Sequence, residues 1–295
     1  MHEKVSPGLG IVILMIGATA FAANHVSARV AFDHGATVAA AVVTRATGTA
    51  LLLLALMKLQ SVAITVPRAL LPRLGLAGVL ISVQSYCLYS AVAIIPAALA
   101  LLVFQTSAML YLLLTWAMGK EKPSSAALLP MLLALVGLVL VLDLRTDKLA
   151  ARWNEIGVGV MWAFGGACSM ALVYYLNAVA LKPLDGRLRT FGMTAVTALV
   201  VLVIGAAGDL LALPRDGTGY LGMALLTIFY CIAMTITFMV LPRVGPSSTA
   251  ALNFEPIALL GLAWIVLDQA VTPLQIVGAF VTVGAIAWLG IKKAK

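Results

Sequence analysis

Two ionisable side chains stand deep inside long apolar stretches of this sequence. Arg45 and Glu255 each lie roughly nine residues into a hydrophobic run, which at about 1.5 Å per residue puts each roughly 14 Å from the end of a helix. An ionised group at that depth costs several kcal/mol unless it is paired or hydrated. Glu255 is therefore expected to line or bound a substrate cavity. Arg45 is expected to anchor its helix by hydrogen bonding to carbonyls or to a carboxylate, and helix-to-helix glue is the competing role for both. Pro256 follows Glu255 and lacks the N–H of a helix interior. A bend that frees the Leu252 carbonyl beside Asn253 and Glu255 is predicted, giving a substrate ammonium an acceptor.

Other side chains suited to solute binding recur at one-face helical spacing. Ser82, Tyr86 and Tyr89 form one such row, and Tyr230, Met234 and Thr237 form another at a shift of 148. Trp162 and Ser169 lie seven apart with Gly165 and Gly166 between them, so an indole can border a cavity with room beside it. Aromatic faces stack on flat apolar groups and phenol tips hydrogen-bond, which suits an amphipathic solute, although the same residues also build plain cores. Gln105 occupies in the first half the place that Glu255 has in the second. The predicted substrate-binding set is Tyr86, Tyr89, Gln105, Trp162, Tyr230, Asn253, Glu255 and Pro256, with Arg45 as a structural intramembrane charge. Asn24, Gln84 and Asn177 read as hydrogen-bonding links between helices. The pairs Ala18/Ala22 and Ala163/Ala167 allow close backbone approach.

The elements that must hold these residues follow from composition. The 295 residues are 63% hydrophobic and 10% charged, with a mean hydropathy of +1.09, against roughly 25% charged in a soluble domain. A soluble fold could not bury so much, whereas a bilayer-spanning helix needs about 20 apolar residues. Ten helices are predicted, at 9–31, 36–58, 72–94, 96–119, 124–144, 155–180, 188–211, 219–241, 247–268 and 272–291. The fold class is thus an all-α integral membrane protein, with loops too short for a separate soluble domain. Ala20-Phe21-Ala22 resembles a cleavage site, but the apolar run before it continues to about Val30, longer than a signal core, so it is expected to remain as the first span. Cys87, Cys168 and Cys231 lack metal-type spacing and read as small packing residues; no metal site is expected.

Lys and Arg sort unevenly between the two sides. Thirteen fall with the termini: Lys4, Lys58, Arg68, Arg73, Lys120, Lys122, Lys182, Arg187, Arg189, Arg243, Lys292, Lys293 and Lys295. Five fall opposite: Arg29, Arg145, Lys148, Arg152 and Arg215. The positive-inside rule then predicts cytoplasmic termini, in a bacterial-type inner membrane. The net charge of +8 is scattered over short loops, which suits lipid headgroups and disfavours nucleic acid as a partner.

The halves echo each other. Gly8, Gly10 and Gly17 meet Gly157, Gly159 and Gly166 at a shift of 149, and Pro96, Phe104 and Pro123 meet Pro246, Phe254 and Pro273 at 150. A five-span unit repeated once must be inverted in its second copy, giving repeats over 1–147 and 148–295 within one transmembrane domain. Inverted repeats are characteristic of secondary transporters that rock about a midplane site.

Asn253-Phe254-Glu255-Pro256 followed by Gln269, Thr272, Gln275, Gly278 and Gly284 resembles the end of a repeat of the EamA family, in the drug/metabolite transporter superfamily. Pro96 through Gly119-Lys120-Glu121 to Gly137 is its first-half counterpart, and Arg45 is similar to an arginine typical of that family. The sequence departs from the pattern at Gln269, where glutamate is usual, at Pro130, near a usual glycine, and at Gln105-Thr106. The resemblance implies a ten-helix inner-membrane carrier of small metabolites, from a family with a branch that exports amino acids, aromatic ones included.

Other functional classes fit less well. No nucleophile–base pair, metal cluster or GxxxxGK phosphate cradle is present, and His2, His25 and His34 lie near the predicted ends of the first helix without a His-Glu-x-x-His pattern. An enzyme and a resident cofactor are therefore not expected. A channel calls for rings of polar residues along several spans, and the chain supplies too few. The expectation is an exporter of small amphipathic metabolites, amino acids foremost, working by alternating access and either facilitated, which is favoured, or proton-coupled through Glu255. A broad drug or metabolite exporter is the alternative, and a non-transporting membrane protein is the rival from another class. The partners implied are a small-molecule substrate and membrane lipid; oligomeric state is left open.

Overall fold

A computed structural model describes residues 7–119, 149–240, 254–269 and 272–293, with isolated positions at 129, 132–133, 136–137 and 140. Most of the predicted fifth helix, 124–144, lies outside the described residues, as do Leu252 and Asn253. The described residues are helical, without strands. The helices are α1 (Pro7–Asp33), α2 (Val38–Leu59), α3 (Leu71–Ile94), α4 (Ala97–Phe104), α5 (Ser107–Ala117), α6 (Leu149–Val179), α7 (Gly186–Ala207), α8 (Gly217–Val240), α9 (Glu255–Leu267) and α10 (Pro273–Lys293).

Seven helical segments among the described residues are long and apolar enough to cross a membrane: α1, α2, α3 with the 3₁₀ turn before it, α4 and α5 taken together, and parts or all of α6, α7 and α8. The shorter apolar helices Glu255–Leu267 and Pro273–Ala285 follow. Exposed Leu, Ile, Val, Trp and Phe side chains are spread along the segments, among them Val12 and Ile16 on α1, Leu199 and Val203 on α7, and Trp264 and Ile265 on α9. In water such a surface would drive aggregation, and against hydrocarbon it is at home. The protein is a multi-pass membrane protein.

Three helix pairings dominate. α1 lies along α8, α3 along α6, and α2 along α7, with α3 also touching α7 and α2 touching α8. Small residues permit these approaches. Ala18, Ala22, Ala163 and Ala167 are fully buried. A side chain at Gly17 would meet Ile236 at 3.0 Å, and one at Gly166 would meet Cys87 Cβ at 3.4 Å. At the seam of α2 with α8, a Gly48 Cβ would stand 2.6 Å from Thr227 Cγ2. At the seam of α3 with α7, the Thr197 hydroxyl donates to the Gly78 carbonyl at 3.2 Å. α4 lies at the centre, with every residue from Ala97 to Val103 buried and α1, α3, α6 and α9 packed around it.

Helix ends are closed by identifiable side chains. Thr37 caps α2, and its hydroxyl donates to the Leu210 carbonyl in the loop before α8. Asp185 caps α7 by accepting the Arg187 N–H at 2.8 Å, and the adjoining Arg187 guanidinium holds its carboxyl below the usual aspartate range. Arg29 donates to the Val92 and Ala93 carbonyls at the end of α3, and Arg189 to those of Asn177 and Leu181 after α6. Cations at helix C-termini satisfy orphan carbonyls and complement the helix dipole.

Three expectations need correction. The predicted span 96–119 is not one helix but breaks at Gln105-Thr106. There the Thr106 hydroxyl donates to the Val103 carbonyl at 2.7 Å and the backbone tightens into i→i+3 bonds, because a local side-chain bond competes with the α-helical ladder. Pro256 does not kink a helix interior among the described residues. α9 starts at Glu255, so Pro256 falls in its first turn, where a missing N–H costs nothing. Finally, α1 runs on to Asp33, which puts His25 two turns inside the helix instead of near its end.

Candidate functional site

Arg45 is the centre of the candidate site, a buried guanidinium with only 6% of the residue exposed. α2 delivers it into the space between α3 and α8. Its Nη2 donates to Ser85 Oγ at 2.7 Å, and that hydroxyl donates to Gln84 Oε1 at 3.2 Å. Its Cζ lies 4.8 Å from the centre of the Tyr89 ring and 4.1 Å from that of Tyr230. The cation is thus held between two aromatic faces and a hydroxyl, with no carboxylate in ion-pair range among the described residues. Two ring quadrupoles in a desolvated site stabilise a cation by about 2 kcal/mol or more each. Among the described residues the buried Nε–H of Arg45 has no acceptor.

Tyr89 joins this cation to a second polar group. Fully buried on α3, it donates its hydroxyl to Asn24 Oδ1 at 2.9 Å, and Asn24 Nδ2 donates to the Leu226 carbonyl of α8 at 2.6 Å. The His25 ring meets Tyr89 edge to face at 5.9 Å. His25 Nε2 lies 3.4 Å from Glu255 Oε1, with side-chain exposures of 6% and 19%. Its Nδ1 is buried without a partner among the described residues. Phe32 on Tyr89 and Phe21 on Tyr230 complete an aromatic wall. In sequence terms the site gathers residues 24, 25, 45, 85, 89, 230 and 255 from five helices.

Of the predicted site residues, Tyr89, Tyr230 and Glu255 therefore share this cluster with Arg45. Tyr86 and Trp162 form a separate edge-to-face pair at 6.2 Å. Trp162 lies in a groove of about 590 Å³ between α3 and α6, lined by Cys87, Trp153, Asn154, Gly157, Val158, Met161, Trp162 and Gly165. Gly157 and Gly165 leave space beside the two indoles, as the sequence spacing implied for Gly165. Gln105 stands half-buried in the α4–α5 break, with no hydrogen bond from its side chain to either group. Pro256 is buried behind Glu255, and Asn253 lies outside the described residues. His25 and Ser85 were missed as site residues. Ser85 carried a signal, since it lies one turn from Tyr89 on the Arg45-facing side of α3. Among the described residues no group of three or more His, Cys, Asp or Glu could hold a metal ion.

Comparisons with known proteins bear on fold and family. A protein crystal structure aligns with the whole of both chains at a TM-score of 0.64 and 16% identity, which shows a shared fold. No curated protein matches the chain. Residues 8–143 match the model of the EamA-like transporter family, so this part of the chain is similar to an EamA-like transporter domain.

Proposed function

We propose that the protein is an inner-membrane carrier, with both termini cytoplasmic, that exports small amphipathic metabolites by alternating access. Amino acids, aromatic and other hydrophobic ones first, are its cargo. The carrier consists of ten spans in two inverted repeats, 1–147 and 148–295.

One observation carries the repeat reading. Gly17 abuts Ile236 and Gly166 abuts Cys87, and each pair becomes the other when 149 is added to one number and taken from the other. The seam of Gly48 with Thr227 likewise maps onto that of Thr197 with Gly78, glycine and threonine exchanging halves. The pairing of α1 with α8 and of α3 with α6 follows the same exchange. Contacts that interchange under a single shift are what a two-fold related pair of halves requires, and such halves rock about a central site. The shared shift of 149 also moves the α3 and α8 aromatic rows one residue from the 148 register.

The site chemistry supports an amino acid. A guanidinium whose Nε–H has no acceptor among the described residues suits a carboxylate, Glu255 suits an ammonium, and the tyrosine rings suit an apolar side chain. The Trp162 groove favours the second reading, a broader metabolite exporter, because flat apolar rings fit between indoles. Counterflow in liposomes with the purified protein separates these readings, using the twenty amino acids, nucleosides and cationic dyes as competitors. Competition confined to amino acids supports the first reading, competition by dyes supports the second, and absence of all counterflow removes both.

A further inference from the structure

We propose that the end of the bundle where α2 and α6 stop and α3 and α7 start holds the phosphate headgroup of an anionic phospholipid. The site is independent of what the protein carries. One apolar core draws the four helix ends together. Met57 at the end of α2, Leu74 at the start of α3, Leu181 and Leu184 after α6, and Leu188 in α7 are buried in a single cluster, with Leu70 of the 3₁₀ turn packed on it. Cations stand beside these residues in sequence: Lys58 next to Met57, Arg68 and Arg73 about Leu70 and Leu74, Lys182 next to Leu181, and Arg187 and Arg189 on either side of Leu188. Packing the apolar side chains therefore gathers the charges. The Arg187 guanidinium also reaches Gln60 Oε1 just beyond α2, which ties the two halves of the site to each other.

The charges there do not balance. Segments 58–73 and 180–189 hold six cations and one carboxylate, Asp185. Arg187 pairs with Asp185 at 2.9 Å, and Arg189 donates to the Asn177 and Leu181 carbonyls. Lys58, Arg68, Arg73 and Lys182 are exposed and have no hydrogen bond or ion pair among the described residues. Like charges gathered at one end repel, and a bound anion relieves them. The opposite end is built the other way. There the turn after α1 docks on the loop before α8, with Arg215 N–H donating to the His34 carbonyl at 2.9 Å and Thr37 N–H to the Ala212 carbonyl at 3.0 Å. Under the shift of 149, these two segments correspond to the α6–α7 turn and the α2–α3 loop. Asp33, Asp209 and Asp216 offset Arg29 and Arg215 at this end, and Asp33 pairs with Arg29 while Asp216 pairs with His34. Equivalent loops thus carry an unpaired excess of cations at one end and none at the other.

The adjoining surface makes the anion a lipid. Leu59, Ile64, Leu71, Leu76 and Val179 are exposed close in sequence to the same cations, and apolar side chains of that kind call for hydrocarbon. Lysine and arginine lay their stems along acyl chains and hold their heads at phosphate level. A phosphodiester carried on two chains satisfies both surfaces at once, whereas free phosphate satisfies only the cations. In the orientation proposed above, the headgroup belongs to the cytoplasmic leaflet.

The test uses full-length protein in detergent micelles, with dioleoylphosphatidylglycerol as probe, dioleoylphosphatidylcholine as the zwitterionic lipid with the same chains, and glycerol 1-phosphate as the anion without chains. Native mass spectrometry counts the lipid retained. A cation near an anionic headgroup contributes about fivefold to binding, so phosphatidylglycerol is expected to be preferred by at least about tenfold. The combined change Lys58→Gln, Arg68→Gln, Arg73→Gln and Lys182→Gln is expected to abolish that preference. Lys120→Gln, Lys122→Gln, Lys292→Gln and Lys293→Gln together remove the same charge elsewhere and are expected to keep it. Equal retention of the two lipids, or equal loss in both variants, overturns the site. Hydrogen exchange on the unaltered protein needs no variant and decides where a variant fails to fold. Phosphatidylglycerol, compared with phosphatidylcholine, is expected to slow exchange in 60–73 and 180–189 and to leave 208–216 unchanged. Slowing that is absent or spread evenly over these segments overturns the site, and the same slowing by glycerol 1-phosphate at equal concentration overturns the lipid as its occupant. Loss of all solute counterflow removes the carrier reading and leaves this site standing.

Discussion

The guanidinium carbon of Arg45 on α2 lies 4.1 Å from the centre of the Tyr230 ring on α8. This contact ties together two helices on either side of the chain's midpoint, and it makes the charge of Arg45 tolerable without a carboxylate among the described residues. Tyr230→Phe keeps the ring and is expected to change stability by under about 1 kcal/mol, whereas Tyr230→Ala removes both ring and volume and costs about 3–5 kcal/mol. Arg45→Lys, which cannot stack a planar group between two rings, belongs with the second class. Thermal unfolding in detergent, followed by circular dichroism, ranks the three.

The seam between Gly48 and Thr227 gives a prediction with its own rescue. A methyl at 48 stands 2.6 Å from Thr227 Cγ2, so Gly48→Ala is expected to destabilise by about 1–3 kcal/mol through overpacking. Thr227→Ser deletes that methyl and is expected to recover most of the loss. Equal melting temperatures for the single and double variants count against this seam.

Asn24 links Tyr89 to the Leu226 carbonyl. Asn24→Ala leaves the buried Tyr89 phenol without its acceptor and removes a second donor from the Leu226 carbonyl, which keeps its place in the α8 ladder, with an expected cost of about 1–3 kcal/mol. Tyr89→Phe alone costs about 1 kcal/mol. The double variant is expected to fall short of the sum, because both changes remove one shared hydrogen bond. Strict additivity in a double-mutant cycle shows the two residues to be uncoupled.

Acid is expected to loosen the loop before α8. Asp216 accepts the Gly219 N–H and lies 2.7 Å from His34 Nδ1, and these partners hold its carboxyl below the usual range. A carboxylate depressed in the folded state contributes stability that is present above the unfolded value of about 3.9 and is lost as pH falls through the folded one. Amide exchange at Gly219 and Arg215, compared at neutral pH and near pH 3, is expected to quicken relative to amides in α7 once intrinsic rates are divided out. Asp216→Asn abolishes that pH dependence, and exchange that stays pH-dependent in this variant assigns the effect elsewhere.

Trp162 bears on cargo size. Trp162→Ala opens the α3–α6 groove and removes one ring face, so KM for phenylalanine is expected to rise about five- to tenfold and that for alanine less than twofold. Initial rates over a concentration series settle the comparison. Equal changes for both solutes place the cargo away from the groove.

The seven spans among the described residues were legible because the hydrophobic effect is written into composition, and a run of some 20 apolar residues has few other uses. The burial of Arg45 and the partial burial of Glu255 were legible for the same reason. Their partners were not, since residue count along a helix fixes height but leaves rotation to packing. Arg45 was given a carbonyl or carboxylate and has Ser85 with two rings. His25 was set aside because hydropathy ended its helix near residue 31, just as polar residues accumulate, and the backbone continues to Asp33. Pro256 was read as a kink because the apolar run extends to both sides of it, and the start of α9 at Glu255 turns it into a first-turn proline. The break at Thr106 depends on a hydroxyl choosing a backbone carbonyl, which periodicity does not register.

Because α1 finds its broadest partner in α8 and α3 finds its own in α6, biogenesis cannot proceed by completing one half and then the other. While the ribosome is still making α6, the early helices wait in lipid with Asn24, Arg45 and α4 uncovered. Native assembly is therefore a late, concerted event, and a nascent chain stalled after α5 is a natural client for membrane chaperones and quality-control proteases.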